Sequence, residues 1–203
     1  FDFDLIESID LGELKYSGMK IHCCFNIYQR PENGLNKKPN HKIDLFEIYR
    51  DDSKDYENIQ KLDSYKYDLC FTATAHSDRY SIATSIKKQL IKKGFSMFTY
   101  FYLPSKIMYW IRKLFIKKYK YGNITDFSFS SLTQLQIIEI IENSKVVLDI
   151  NHPFQYGLTS RCIEALGAKR KLVTTNSNIV EYDFFNPNNI FVIDRNKPII
   201  NIS

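Results

Sequence analysis

The chain has 203 residues, of which 44% are hydrophobic and 15% aromatic, and it carries a formal net charge of +5. This composition suits one full globular domain, or one domain plus a fragment, and excludes an intrinsically disordered chain. No apolar run reaches the roughly 18 residues that read as a transmembrane helix, so we expect no membrane span. The mild positive charge favours anionic partners without naming one.

Residues 1–66 are predicted to be a remnant of one domain followed by a linker. Phe1–Ile9 and Lys20–Tyr28 have the patterns of short strands, whereas Gln29–His41 is rich in Pro, Asn, Gly and Lys and is typical of a loop. Asp44–Leu62 is charged and fits either a strand or a weak helix. The section is too short for a second complete domain and opens FDFDLIES without Met, so we expect a fragment or a processed product.

Strand and helix patterns alternate from Tyr67 onward, in the domain that we assign to residues 67–203. The predicted strands are Tyr67–Ala73, Phe95–Tyr102, Lys145–Ile150, Lys171–Thr175 and Asn189–Ile193. The predicted helices are Asp78–Lys93, Ser105–Lys118, Leu132–Asn143, Leu158–Leu166 and a short one near Ile179–Phe184. Near-continuous apolar strands such as VVLDI indicate burial on both faces. The predicted fold is therefore α/β, a Rossmann-like parallel sheet flanked by helices.

Three local signals fix helix ends in this prediction. Gly94 and Gly167 stand where a helix ends and a positive φ is favoured. Thr133 with Gln136 has the spacing of a capping box that opens the third helix.

Small and polar residues follow the first clear strand, in the segment FTATAHSDRY at 71–80. Thr74 and its neighbours allow a ligand close to the backbone, and the next helix offers unpaired N–H groups that suit phosphate. His76 and Arg79 add a hydrogen-bonding ring and a fixed charge. The alternative is an ordinary strand end in which Ser77 or Asp78 caps the helix.

A second polar segment, Asn151–Thr159, follows the strand VVLDI and opens the next helix. Ligands of an open parallel sheet bind beyond the carboxyl ends of the strands, where this loop places His152, Gln155, Gly157 and Thr159. Arg161 can clamp a diphosphate, and Glu164, one turn on, can accept ribose hydroxyls. The alternative for these last two is an ordinary ion pair.

The segment Ser105–Lys120, SKIMYWIRKLFIKKYK, mixes large apolar residues with lysines and arginine. A basic amphipathic helix with tryptophan can lie on an anionic membrane surface. The alternative, which we favour from sequence, is a core-packed helix with solvated lysines. Nucleic-acid binding is not expected, because no recognised RNA- or DNA-binding motif occurs.

Four segments together resemble bacterial lipopolysaccharide and capsular polysaccharide biosynthesis glycosyltransferases of the GT-B type, with group-1 and spore-envelope-like patterns. They are TAHSDRY (Thr74–Tyr80), YLPSK (Tyr102–Lys106), HPFQYGLTSRCIEALGAKRKLVTTN (His152–Asn176) and NPNNIFVIDR (Asn186–Arg195). The resemblance covers Asp68 to Arg195, and the third segment is the most specific. It implies the C-terminal, donor-binding half of such an enzyme.

The resemblance implies that this half binds a nucleotide-sugar and that an N-terminal domain holds the glycan or lipid-linked acceptor. Glu164 then matches the glutamate that holds the donor ribose, and Arg161 lies beside the diphosphate with the Gly157–Thr159 turn. His76 and Arg79 match a loop that faces the interdomain cleft. Catalytic roles are thus expected for His76, Arg79 and Arg161. Donor contacts are expected from a wider set: Thr74, His152, Gln155, Gly157, Thr159, Arg161 and Glu164.

Two departures from the family pattern affect this expectation. A glutamate common in related transferases would stand at Tyr156, and most of an N-terminal domain is missing. The Asp2-Phe3-Asp4 triplet spells the metal signature of the other large transferase fold, but alternation along a strand produces it equally well. We expect no metal and no cofactor beyond the nucleotide-sugar substrate. We also expect Cys23, Cys24, Cys70 and Cys162 to be reduced and structural, since no CxxC pair occurs.

The leading functional prediction is a metal-independent, cytoplasmic glycosyltransferase of surface-polysaccharide assembly, or its donor-binding half. A peripheral position at the inner face of the plasma membrane follows only if Ser105–Lys120 contacts lipid. The alternative is a non-catalytic nucleotide-sugar-binding module that needs a partner chain or the missing domain. A third reading is a decayed gene product with neither activity. The sequence does not identify the sugar, the base, the acceptor or the stereochemical outcome.

Overall fold

The computed structural model describes residues 62, 64–115, 122–182 and 184–200. Its strands are β1 Tyr67–Thr74, β2 Met97–Tyr102, β3 Phe127–Ser128, β4 Ser144–Asp149, β5 Lys171–Thr174 and β6 Ile190–Val192. Its α-helices are α1 Arg79–Lys92, α2 Lys106–Phe115, α3 Gln134–Glu142 and α4 Ser160–Gly167, with 3₁₀ turns at Ile124–Asp126 and Ser177–Glu181. The predictions for residues 1–61, including the triplet Asp2–Asp4, Cys23 and Cys24, lie outside the described residues.

The six strands form one parallel sheet in the order β3-β2-β1-β4-β5-β6. From β1 the chain winds outward through β2 to β3, then returns through α3 to β4 and winds the other way. Helices α1 and α2 therefore cover one face, and α3 and α4 cover the other. This is the doubly wound order of Rossmann-like domains, so the predicted α/β fold class is confirmed.

Strand β4 shows why the central strands are apolar along their whole length. Val146 and Leu148 belong to the core beneath α1 and α2, whereas Val147 belongs to the core beneath α3 and α4. Successive side chains of a strand point to opposite faces, so a strand covered by helices on both sides buries every residue. The burial inferred from VVLDI is confirmed.

The five predicted strands and four of the predicted helices are present, and the ends that the structure describes agree with the predicted ends within two residues. Thr133 forms the expected capping box with Gln136. The fifth predicted helix is a 3₁₀ turn, and β3 was not predicted, because two residues are too short to show a period. Strand β3 is held instead by Phe127, whose ring stacks on that of Tyr80 at a centroid distance of 4.9 Å.

One helix-end prediction is wrong. Gly94 follows α1 with a φ of +85°, as expected, but Gly167 lies inside α4. The left-handed position after α4 is taken by Lys169, with a φ of +54°. The Lys169 N–H donates to the Leu166 carbonyl and the Arg170 N–H to the Ala165 carbonyl, which closes the helix in a Schellman motif.

After β6 the chain turns back across the face covered by α1. Ile193 and Ile200 are buried in the core on that side. The Gln89 side chain of α1 donates to the Pro198 carbonyl at 2.7 Å. This return path holds Arg195 against the carboxyl end of the sheet.

Candidate functional site

Polar side chains from three parts of the chain meet where β1 and β4 end side by side. The connections that leave these two paired strands pass to opposite faces of the sheet, which opens a crevice at this point. Four side chains define the β1–β4 crevice: His76, Arg79, His152 and Arg195. The sequence placed the first three at strand exits; the pairing of β1 with β4 brings them together.

The two histidines of the crevice are neighbours. The ring centroids of His76 and His152 are 5.5 Å apart, and the ring of Phe154 lies 5.6 Å beyond that of His152. The Phe154 side chain is mostly exposed. His152 thus has the rings of both His76, at the β1 exit, and Phe154, in its own loop, as neighbours.

Arg79 ties the two strand exits together. Its Nε donates to the carbonyl of Ile150 at 2.6 Å, and its Nη1 lies 3.4 Å from the carbonyl of Thr74. Thr74, one of the predicted donor contacts, is exposed, and its carbonyl also accepts from the His76 N–H. The guanidinium charge is therefore held at a fixed position between β1 and β4.

Arg195 was not among the predicted site residues, yet it contacts residues at three strand exits of the crevice. Its Nη1 pairs with Asp78 Oδ1 at 2.6 Å. Its Nη2 donates to the Asn151 carbonyl and Asn151 Oδ1, each at 2.6 Å, and to Thr175 Oγ1 at 3.1 Å. One side chain thereby joins the exits of β1, β4 and β5. The available sequence signal was a polar residue after each of these strands, but nothing local indicated that they share a partner.

Electrostatics keep both histidines of the crevice neutral. Burial, followed by the nearby charge of Arg79, lowers the pKa of His76 to about 4, and His152 and Arg112 of α2 act in the same direction. Burial and the charges of Arg79 and Arg195 also lower the pKa of His152. Cations that disfavour a further positive charge favour a negative one. The crevice is thus suited to an anion.

The loop after β4 is held from within and by the end of β5. The Gln155 side chain donates to the Leu158 carbonyl, and Asn151 Nδ2 donates to the Gln155 carbonyl at 3.0 Å. Asn176 Nδ2 donates to the carbonyls of Tyr156 and Gly157. Gln155 and Gly157, both predicted donor contacts, therefore shape the loop that carries His152.

Thr159 has a structural role in this arrangement. Its hydroxyl accepts from the Cys162 N–H as the N-cap of α4 and donates to Asp149 Oδ1 at 2.7 Å. The buried Asp149 carboxylate also accepts from Thr174 Oγ1 and from the thiol of Cys162. The predicted hydroxyl contact to a donor competes with these hydrogen bonds.

Arg161 and Glu164 form an ion pair, which is the alternative to their predicted donor roles. Arg161 Nη1 donates to Glu164 Oε2, and both side chains are largely buried. Arg161 Nε is buried without a hydrogen-bond partner. The charge of Arg161 acts on Cys70, in the core beneath α3 and α4, whereas Arg79 and Arg112 act on His76. Contacts from Arg161 or Glu164 to a donor remain predictions and require this pair to rearrange.

The two described cysteines, Cys70 and Cys162, are free and buried. Burial raises the pKa of the Cys70 thiol to about 11, and burial together with Asp149 raises the pKa of Cys162 well above its ordinary value. Both thiols are therefore unreactive core residues, as predicted. Within the described ranges there is no group of three or more His, Cys, Asp or Glu side chains that could hold a metal ion. Those ranges also contain no helix long and apolar enough to cross a bilayer.

Comparison with known proteins found no match to a family model, to a curated protein or to a solved structure. The fold assignment therefore stands on the strand order, and the candidate site stands on the geometry and charge of the β1–β4 crevice.

Proposed function

We propose that this domain binds the diphosphate of a nucleotide-sugar in the β1–β4 crevice and serves a GT-B-type glycosyltransferase of surface-polysaccharide assembly. The observation that carries the proposal is the cationic character of the crevice at the switch point of a doubly wound sheet. Three guanidinium groups, of Arg79, Arg112 and Arg195, act on its two imidazoles against the single carboxylate of Asp78. The sequence resemblance supports the sugar-nucleotide as the particular anion.

A diphosphate fits this charge pattern better than a neutral ligand. Burial is the largest cause of the lowered pKa of His76, and the positive charges of Arg79 and Arg112 add to it; the negative charge of a diphosphate offsets this second contribution. Once the anion is bound, His76 can take up a proton and donate a hydrogen bond to a phosphate oxygen. The exposed ring of Phe154, next to His152, offers an apolar surface for the base or the sugar.

In the transfer reaction the bond between the anomeric carbon and the diphosphate oxygen breaks while an acceptor hydroxyl forms the new glycosidic bond. The leaving diphosphate gains negative charge, which Arg79 and protonated His76 stabilise. Once His76 is protonated beside the bound diphosphate, its ring has no free nitrogen to accept the proton of the acceptor hydroxyl. This favours the second candidate function, a donor-binding module whose partner domain supplies the base.

Calorimetric titration of the full chain with UDP, GDP and CMP tests the proposal directly. Binding of at least one of them is expected, and incubation with the matching nucleotide-sugar then distinguishes the two candidates. Release of free sugar or transfer to an acceptor indicates the enzyme, whereas binding without turnover indicates the module. Absence of binding by all three nucleotides contradicts both.

Arg79→Gln should weaken nucleotide binding by about tenfold or more, because a charge-assisted contact to phosphate contributes on the order of 1.5–3 kcal/mol. Lys88→Gln is the matched control, since Lys88 is an exposed cation on the same helix. Affinities from calorimetry at a single ionic strength decide the question. Equal losses in the two variants would indicate a general charge effect rather than a site.

Glu164→Ala tests the donor-ribose role that the resemblance implies. If Glu164 leaves Arg161 to hold the ribose, its removal should weaken nucleotide binding by about tenfold, since two hydroxyl contacts to a charged group are lost. Arg161→Met breaks the same ion pair and keeps the carboxylate, so any loss it causes comes from the ion pair or from the predicted Arg161 contact to the diphosphate and not from Glu164. Unchanged affinity for Glu164→Ala would restrict this residue to the ion pair.

A further inference from the structure

Helix α2 exposes most of its large apolar side chains to solvent instead of packing them on the core. Of its large side chains only Tyr109 is buried. The exposed ones are Ile107, Trp110, Ile111, Leu114 and Phe115, with Leu114 at 78% and Phe115 at 81% exposure. Their spacings of three and four residues place them along one side of the helix. The core-packed interpretation that we favoured from sequence is therefore wrong for the described part of this segment.

Cations flank the apolar side of α2. On a helix of 3.6 residues per turn, Lys113 lies next to the Trp110 edge and Arg112 next to the Phe115 edge. The Lys113 ammonium group is 5.7 Å from the Trp110 ring centroid and donates to the Tyr109 hydroxyl and the Gly122 carbonyl. Lys106 begins the helix on the same edge and is exposed. Lys117, Lys118 and Lys120 follow in the sequence. The helix thus combines a wide apolar arc with positive charge along both borders.

This pattern indicates which partner covers the surface. A second copy of the chain would bring the same cations against each other at the rim, and like charges oppose such a contact. An anionic bilayer presents phosphate oxygens to the cations and acyl chains to the apolar arc. The indole of Trp110 is also of the type that concentrates at the level of the headgroups.

We propose that α2 docks this domain on an anionic lipid surface. The apolar arc enters the boundary between headgroups and acyl chains, and Lys106 and Arg112 contact lipid phosphates. The helix follows β2 directly, and Arg112 also acts on His76. Docking through α2 therefore places the β1–β4 crevice beside the lipid surface, where a lipid-linked molecule can reach it.

Trp110 is the single tryptophan of the chain, so its fluorescence reports on α2 alone. The full chain is mixed with vesicles of phosphatidylcholine alone or with phosphatidylglycerol. With the anionic vesicles we expect a blue shift of the emission and co-sedimentation, and both should diminish as salt rises. Brominated acyl chains should quench the fluorescence. This assay needs no nucleotide, so its outcome is independent of the proposed function.

Leu114→Glu should reduce vesicle binding by about tenfold or more, because it places a charge in the apolar arc. Leu135→Glu is the matched control: Leu135 is also 78% exposed but lies on α3. Both positions are exposed, so both variants should fold, as circular dichroism can verify. Equal losses in the two variants would overturn the proposal, as would no binding to anionic vesicles at low salt. It would also be overturned by a Trp110 shift that depends on protein concentration without lipid, or by a cross-link from α2 to residues 1–61 that persists with vesicles.

Discussion

Arg195→Ala should lower the free energy of unfolding by about 3 kcal/mol or more, because it leaves the Asp78 carboxylate buried without its guanidinium partner. The same change removes the hydrogen bonds that Asn151 and Thr175 accept. Because this one side chain joins the exits of three strands, its removal should destabilise the whole crevice. Urea unfolding of the wild type and the variant measures the difference.

Asp78→Asn in the background of Arg195→Ala separates the buried charge from the lost contacts. We expect the double variant to recover part of the stability, on the order of 1 kcal/mol, because the uncompensated charge is gone. Lys145→Ala is the matched control, because it breaks the 3.1 Å ion pair between Lys145 and Asp68. The side chains of this pair are more exposed than those of Arg195 and Asp78, so the free energy of unfolding should change by less than about 1 kcal/mol. Similar losses for Arg195→Ala and Lys145→Ala would contradict the central role of Arg195.

His76 should make the protein less stable as the pH falls from 7 to 4. Its pKa is lowered from 6.5 to about 4 in the folded state, so between these values the unfolded chain binds a proton that the folded protein does not. The part of the unfolding free energy that depends on His76 being neutral is fully present above pH 6.5, declines below that pH and is lost by pH 4. Allowing for partial solvent exposure, the contribution is on the order of 2 kcal/mol.

His76→Gln removes this titration while keeping a polar side chain. The free energies of unfolding of the two proteins are measured at intervals from pH 7 to 4. As the pH falls, the value for the wild type should decrease more than the value for the variant. A bound nucleotide should raise the His76 pKa, which NMR titration of the ring can follow. A constant difference between the two proteins across the pH range would show that the ring is not held neutral by its surroundings.

The two proposals, nucleotide-sugar binding in the β1–β4 crevice and lipid docking through α2, are compatible with each other. A donor site beside a lipid surface suits an acceptor that is anchored in the membrane. The vesicle assay and the nucleotide titrations address these halves separately. Vesicle-bound protein that still binds nucleotide would support both.

Apart from β3, the sequence alone determined the order of the elements, because the apolar runs of buried strands and the helical periods between them are local patterns. Helix ends set by backbone geometry were also predictable where the residue matched the conformation, as at Gly94. The prediction failed at the end of α4, because Lys169 and not a glycine adopts the positive φ there and its backbone closes the Schellman motif.

The tertiary structure alone decided which polar residues act together. His76 and His152 are 76 positions apart in the sequence, and only the parallel pairing of β1 with β4 brings their rings within 5.5 Å. Arg195 reaches Asp78 because the chain returns across the sheet after β6, which no local pattern encodes. The orientation of α2 was likewise undetermined, because its helical period shows an apolar side but not whether that side meets the core or the solvent.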